Sequence, residues 1–235
     1  MNVFRIIRKS KACLKIFSGG AQPSFSQVGE DVIVSYLFKT LNISNPTYLD
    51  VGANHPIHGN NTFFFYYRGS SGVCIEPDPR FSKLIAKVRP RDKVLNIGIG
   101  VEHESSGSLH IFPDPYSGWN TFSKEEAYRR EEESKIKIKD VKEIKMIPIN
   151  MVIKNNFSKT PNFLSLDIEG LDETILKSMD FTLFRPEVIC VETITFSVTN
   201  KEIKMHSIIE LMQSKGYKIY ADTHVNTIFC RIDLF

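Results

Sequence analysis

Residues 48–56, "YLDVGANHP", read as a short buried strand that runs straight into a glycine turn. Tyr48, Leu49 and Val51 suit a strand enclosed by other structure. Gly52 suits the sharp turn that follows, because a residue without Cβ tolerates backbone angles others avoid. A dinucleotide-binding turn would place a second glycine two positions later, so that the backbone can approach a pyrophosphate. Asn54 stands there, and His55 and Pro56 follow it. Proline removes a backbone donor and histidine is bulky, so a pyrophosphate finds little to bind here. The ligand of this turn has to suit an acid at the strand end (Asp50), one glycine and an asparagine.

Outward from this segment the chain alternates strands and helices. Upstream, "FSQVGEDVIVSYLFKTL" reads as a helix with Glu30 and Asp31 in its first turn, where negative charge suits the helix dipole. Downstream, "NNTFFFYYRG" reads as a short helix ended by Gly69 and Gly72. "GVCIEPDP" follows as a second strand, closing in an Asp78 N-cap with Pro79 at the first helical position. "RFSKLIAKVR" is a helix and "KVLNIGIG" a third strand. This order predicts a parallel sheet wrapped by helices.

Between 101 and 150 the rhythm breaks. "GSLHIF" reads as a strand, "PDPYSGWNTF" as a loop, "SKEEAYRREEESK" as a solvated charged helix, and "KIKIKDVKEIKMIPI" as an exposed strand or hairpin. The α/β pattern then resumes with strand "NFLSLDIEG", helix "LDETILKSM", strand "PEVICVET" and the amphipathic helix "KEIKMHSIIELMQSKGY". "YKIYAD" and "TIFCRI" close the chain as a strand pair. The expected fold is therefore α/β: a seven-stranded, Rossmann-like sheet of the class I methyltransferase type with helices on both faces. The expected organisation is a basic N-terminal helix and linker over 1–24, then one domain over 25–235 with an inserted region at about 101–150.

Bulk composition supports this. A chain of 235 residues with 42% apolar and 24% charged residues suits one sizeable globular core. The net charge of +3 is too small to imply nucleic acid. Cys13, Cys74, Cys190 and Cys230 are never spaced as C-x-x-C, and three lie in apolar runs, so buried reduced thiols in a cytoplasmic protein are expected. The basic, apolar start "MNVFRIIRKSKACLKIF" is a poor signal peptide and too charged to span a bilayer. It reads as an amphipathic helix, with peripheral contact at the inner membrane surface as one role for it.

In doubly wound sheets, ligands sit beyond the carboxyl ends of the strands. The predicted strands deliver Asp50, Gly52, Asn54, Glu76, Asn96, Asp167, Glu169 and Glu192 to that rim. So many carboxylates on one edge repel unless cations or donors sit among them. Glu76 lies 24 residues beyond Gly52, where this class of fold places the acid that accepts hydrogen bonds from ribose hydroxyls. The turn thus points to a nucleoside-containing cofactor without a pyrophosphate. S-adenosylmethionine fits, since it carries an ammonium, a carboxylate and a sulfonium but no phosphate.

The segments "SQVGED" (26–31), "YLDVGANHP" (48–56), "NTFFFYYRGSSGVCIEPDP" (61–79), "FLSLDIEGLDETIL" (163–176) and "RPEVICVET" (185–193) together resemble the FkbM-type methyltransferases, a family dependent on S-adenosylmethionine. That resemblance implies O-methyl transfer to a hydroxyl of a sugar or nucleotide-linked sugar, in the making of glycans or natural products. Carried across by position, Asp50, Gly52, Asn54 and Glu76 would hold the cofactor, joined by Gln27, Pro77, Asn96 and Asp167, while Asp167 and Glu169 would face the transfer site. The family's usual N-x-G is replaced by Asn54-His55-Pro56, which places the chain in a divergent branch.

A sugar hydroxyl is a weak acid, so its proton must go to a general base or be loosened by a metal. Asp167 is one candidate base, with Glu169 capping the next helix. The competing expectation is a divalent ion, Mg²⁺ or Mn²⁺, on Asp167, Glu169 and Glu192. His206 and His224 are further candidate bases, because histidine titrates near neutrality. Trp119, with Tyr116 and Asn120, reads as a sugar-recognising lid. The alternatives are an NAD-dependent sugar-nucleotide oxidoreductase or epimerase, a nucleic-acid methyltransferase and a non-catalytic cofactor-binding module. The missing G-x-G-x-x-G opposes the first. The lack of a basic stripe and of an N/D-P-P-Y/F segment opposes the second. The expected partner is a small hydroxylated acceptor, and self-association into a homo-oligomer stays open.

Overall fold

In the computed structural model, which describes residues 22–101, 103–199 and 201–235, the strand of the opening segment lies at the middle of a seven-stranded sheet. The elements are α1 (Glu30–Thr40), β1 (Tyr48–Val51), α2 (Phe63–Tyr67), β2 (Gly72–Ile75), α3 (Pro79–Val88), β3 (Lys93–Leu95), β4 (Gly98–Gly100), β5 (Ser105–Ile111), α4 (Lys124–Ser134), β6 (Asp140–Pro148), α5 (Ile149–Asn156), β7 (Phe163–Leu166), α6 (Asp172–Ser178), β8 (Val188–Glu192), α7 (His206–Ser214), β9 (Tyr217–Asp222) and β10 (Asn226–Arg231). The large sheet runs β3-β2-β1-β7-β8-β10-β9, with β10 antiparallel to both neighbours and the other pairings parallel. This is the class I methyltransferase sheet expected from the sequence. The expectation for the basic N-terminus lies outside the described residues. No described helix is long and apolar enough to cross a membrane.

Alternation along the central strands divides the core. Leu49 and Val51 of β1 join Leu164, Leu166, Ile189 and Val191 on one face, under α5, α6 and α7. Tyr48, Phe163, Cys74 and Cys190 face the other way, under α1, α2 and α3. Cys74, Cys190 and Cys230 are free, buried thiols, as their apolar surroundings suggested. Buried on both faces, these strands lack the polar alternation of an exposed sheet.

Two expectations change. "KVLNIGIG" is not one strand. Asn96 Nδ2 donates to the carbonyls of Glu76 and Pro77, both at 2.8 Å, and the chain leaves the large sheet there. Residues 98–100 instead pair with β6 in a second sheet, β4-β6-β5, in which β6 is central rather than an exposed edge. The other change is α5, which no cap announced, although Ile149, Val152 and Ile153 stand at helical spacing and are buried.

Asp50 shares its face of β1 with Tyr48, so its carboxylate enters the core beneath α2 and α3. There Thr62 donates to it at 2.6 Å and Asn60 at 3.0 Å, and Arg89 lies 3.7 Å away. Arg89 has no solvent exposure, and its Nε donates to Asp92 at 2.7 Å. Asp92 in turn accepts from the Tyr48 hydroxyl and from Gly72 N. One guanidinium thus binds β1, the start of α2, the end of α3 and the approach to β3. Arg89→Met would leave Asp50 and Asp92 without their cation and should cost about 3–5 kcal/mol of stability in urea denaturation; a loss below about 1 kcal/mol would mean the network contributes little.

Candidate active site

Gly52 makes the site possible. Its φ of +81° is one that L side chains rarely adopt, and a Cβ there would stand 1.8 Å from the carbonyl oxygen of Asp167. The turn after β1 therefore lies directly on the turn after β7. Gly52 N and Ala53 N both donate to Ile75 O, which also ties the turn to β2. Asn54, at φ +46°, directs its backbone N–H to Glu76 Oε2 at 2.7 Å. Glu76 Oε1 accepts from Asp78 N at 2.7 Å. Burial pushes the Glu76 carboxyl up to about 7, against the opposing pull of the Asp78 and Asn54 N–H groups.

Above these turns lies a cleft of about 320 Å³. Gly52, Asn54, Glu76 and Pro77 form one side, and Ile97, Ile99, Leu109, Phe81 and Phe122 form an apolar wall. Gln27, His55 and His58 border it, and Ser117, Gly118 and Asn120 of the insert cover it. Apolar side chains lining the same cleft as a buried acid fit a nucleoside. The sequence-predicted residues Gln27, Gly52, Asn54, Glu76, Pro77 and Asp167 all meet at this cleft. Asp50 and Asn96 are not among its lining residues. Asp50 serves the Arg89 network, because alternation turns it into the core, and Asn96 braces the Glu76–Pro77 turn from behind.

Asp167 and Glu169 of the cleft and Glu192 just outside it can each bring an oxygen within 4.8 Å of the others. Asp167 Oδ1 is buried without a hydrogen-bond partner. Burial first, then the Glu169 and Asp172 charges, hold the Asp167 carboxyl well above the usual range. Glu192 is raised well above its ordinary value by burial and by Asp167 and Glu169. Asp172, pushed up to about 6 by burial, accepts from Ile168 N and Gly170 N and so shapes the loop that carries Glu169. Glu169 itself sits at φ +58°, its carbonyl held by the Thr121 hydroxyl at 2.9 Å. Burial raises its carboxyl, and Arg130 opposes that shift from 2.7 Å away.

Arg130 is the residue that sequence reading missed. It lies on α4, whose charged sequence looked like a solvated face, yet Arg130 and Ala127 are buried. The three expected metal ligands do converge, but Glu169 already has a cation, so the set as it stands does not fit a divalent ion. His206 and His224 are exposed and line neither this cleft nor the groove beside it. His206 opens α7, and His224 occupies the β9–β10 turn with φ +74°.

A groove of about 640 Å³ adjoins the cleft and shares Gln27, Gly118 and Glu169 with it. Tyr116, Trp119 and Phe196 supply an aromatic surface, with Trp119 4.6 Å from Tyr116 and 5.0 Å from Phe196 between ring centres. Glu133, Glu169, Glu192 and Glu202 supply carboxylates, and among the described residues no lysine, arginine or histidine lines the groove.

Residues 50–219 match the model of the methyltransferase FkbM domain. The match spans well over half of the chain, which therefore belongs to the FkbM methyltransferase family, enzymes that use S-adenosylmethionine. No curated protein matches by sequence. Among solved structures, a TehB-like S-adenosylmethionine-dependent methyltransferase from Corynebacterium glutamicum aligns at 9% identity and a TM-score of 0.45, covering 98% of this chain and 100% of that one. Magnesium protoporphyrin IX methyltransferase from Synechocystis aligns at 7% and 0.44, covering 86% of this chain and 77% of its own. An O-methyltransferase from Bacillus cereus aligns at 11% and 0.41, covering 93% and 87%. At these scores the likenesses add no argument to the family assignment.

A carboxylate at Glu76 accepts ribose hydroxyls better than a carboxylic acid does, so cofactor affinity should follow its ionisation. Affinity for S-adenosylhomocysteine, measured by calorimetry, should be flat above about pH 7 and weaken toward tenfold per pH unit below it. Glu76→Gln should bind weakly at all pH values and lose that slope. An unchanged slope in the variant would assign the titration to another group.

Proposed function

We propose that this protein transfers a methyl group from S-adenosylmethionine to a hydroxyl of a sugar-like acceptor that is neutral or carries an amine. The observation that carries this reading is the junction of the two cavities: Gln27, Gly118 and Glu169 belong to both, so a donor in one meets an acceptor in the other. Glu76, Asn54, Gly52, Pro77 and Gln27 hold the donor in this reading. Asp167, with its unpartnered buried oxygen, holds the donor's reactive end and the acceptor.

The donor supplies an activated methyl on a sulfonium. The chain's own task is to align the acceptor oxygen and take its proton. Asp167 is the base in this reading: it lines the cleft two residues before Glu169, and its Oδ1 is buried without a hydrogen-bond partner. The proton moves from the hydroxyl to the Asp167 carboxylate as the oxygen bonds to the methyl carbon, and the bond to sulfur breaks. Asp172 and Arg130 hold the loop and the Glu169 carboxylate that border this path.

The aromatic surface of Tyr116, Trp119 and Phe196 suits the C–H face of a sugar ring, and the carboxylates suit its hydroxyls. A phosphate has no cation to meet on this groove among its described lining residues, so a free or amine-bearing sugar is favoured over a nucleotide-linked one. Glycan or natural-product hydroxyls of that kind are the acceptor class we assign.

Labelled S-adenosylmethionine should be screened against neutral sugars, amino sugars and nucleotide-linked sugars. Turnover should favour the first two; exclusive turnover of the third would refute the acceptor class. With the acceptor so found, Asp167→Asn should lower kcat about 10²–10⁴-fold, and undiminished turnover would remove Asp167 as the base. Trp119 lines the groove and not the cleft. Trp119→Ala should therefore raise KM for the acceptor about two- to tenfold, a loss of the size of one aromatic contact, and leave S-adenosylhomocysteine affinity unchanged.

A further inference from the structure

Asp167, Glu169 and Glu192 offer hard oxygens close enough together for a divalent ion. An ion such as Mg²⁺ demands a near-octahedral shell at about 2.0–2.1 Å, with its ligands turned to one point. Glu169 is not free to turn. Its Oε2 lies 2.7 Å from the Nη1 of Arg130, whose side chain is only 2% exposed. The same Nη1 donates to the Trp119 carbonyl at 3.1 Å, and Nη2 lies 3.6 Å from Glu126 Oε2. The guanidinium also stacks over the Phe196 ring, 4.6 Å from its centre. Arg130 is thus held by a carbonyl, an aromatic face and two carboxylates. A guanidinium keeps its charge throughout the working pH range, so it cannot vacate the place by losing a proton.

We propose that Arg130 is the resident cation of the transfer site: it occupies the Glu169 carboxylate, one of the three that a divalent ion would need, and fixes it where cleft and groove join. Arg130 is in this sense a positioning residue, contributed by the insert rather than by the doubly wound sheet. The charge that offsets the acidic rim is built into the chain, and methyl transfer needs no added metal. That last consequence rests on the methyltransferase reading above; the occupancy itself does not.

The test is Mn²⁺ binding, read by electron paramagnetic resonance on the full chain without acceptor. The wild-type protein should take up no Mn²⁺ in the micromolar range. Arg130→Met should free Glu169 to join Asp167 and Glu192 and tighten Mn²⁺ binding at least tenfold, and adding Glu192→Gln to it should abolish the gain. Arg130→Lys keeps a cation and should exclude Mn²⁺ as the wild type does. Stoichiometric micromolar uptake by the wild type would overturn the proposal, as would a folded Arg130→Met protein with no gain. Should Arg130→Met fail to fold, the wild type still decides: after exhaustive chelation, turnover should persist, and activity lost to chelator and restored by Mn²⁺ would overturn the proposal. S-adenosylhomocysteine affinity, measured in parallel, separates the two readings. Its absence in the wild type would sink the methyltransferase reading and leave the Mn²⁺ result standing.

Discussion

The contact between Gly52 and the backbone of Asp167 is the constraint on which the site rests. β1 and β7 are parallel neighbours with Val51 beside Leu166, so the two chains leave the sheet side by side. A side chain at 52 would meet the Asp167 carbonyl at 1.8 Å, well inside any tolerable separation. Only without Cβ can the cofactor turn and the loop bearing Asp167 and Glu169 touch. A side chain at 52 would push apart two turns that both line the cleft.

That closeness gathers acids, and the fold answers each one differently. Asp50 is carried into the core and met by Arg89, Thr62 and Asn60. Glu76 and Asp172 are met by backbone N–H groups at their turns, which leaves both carboxyls easier to protonate than in water because burial outweighs those donors. Glu169 is met by Arg130. Asp167 and Glu192 take part in no salt bridge among the described residues, and they face the two cavities. The lack of a cation at Asp167 and Glu192 distinguishes them from Asp50 and Glu169, whose carboxylates are engaged by arginines.

The sequence made much of this legible. Alternating strands and helices predicted the sheet, and the acid 24 residues beyond Gly52 predicted Glu76 at the cleft. These readings depend on local chemistry: a turn that needs glycine, a cap at Asp78, an apolar run too short for a helix. Failures came where a distant partner decides the outcome. Asp50 was read as facing the ligand because its period-two partner, Tyr48, was not weighed as a guide to its face. The break in "KVLNIGIG" depends on Asn96 reaching back to the Glu76–Pro77 carbonyls. Arg130 was hidden in a run of like residues, where its burial follows only from Phe196 and Glu169, remote in sequence. His206 and His224, expected to overhang the rim, are exposed and line neither cavity, because the course of the segments that carry them is not written in local sequence.

The insert, which looked like an interruption of the fold, links the two cavities. Leu109 and Phe122 stand on the wall of the cleft, Tyr116 and Trp119 on the groove, and Gly118 on both. Arg130 lies beneath them, bonded at once to the Trp119 carbonyl and to Glu169. The turns after the large sheet's strands carry Gly52 and Glu76 at the cleft, while the insert adds Tyr116 and Trp119 to the groove and the cation beside Glu169.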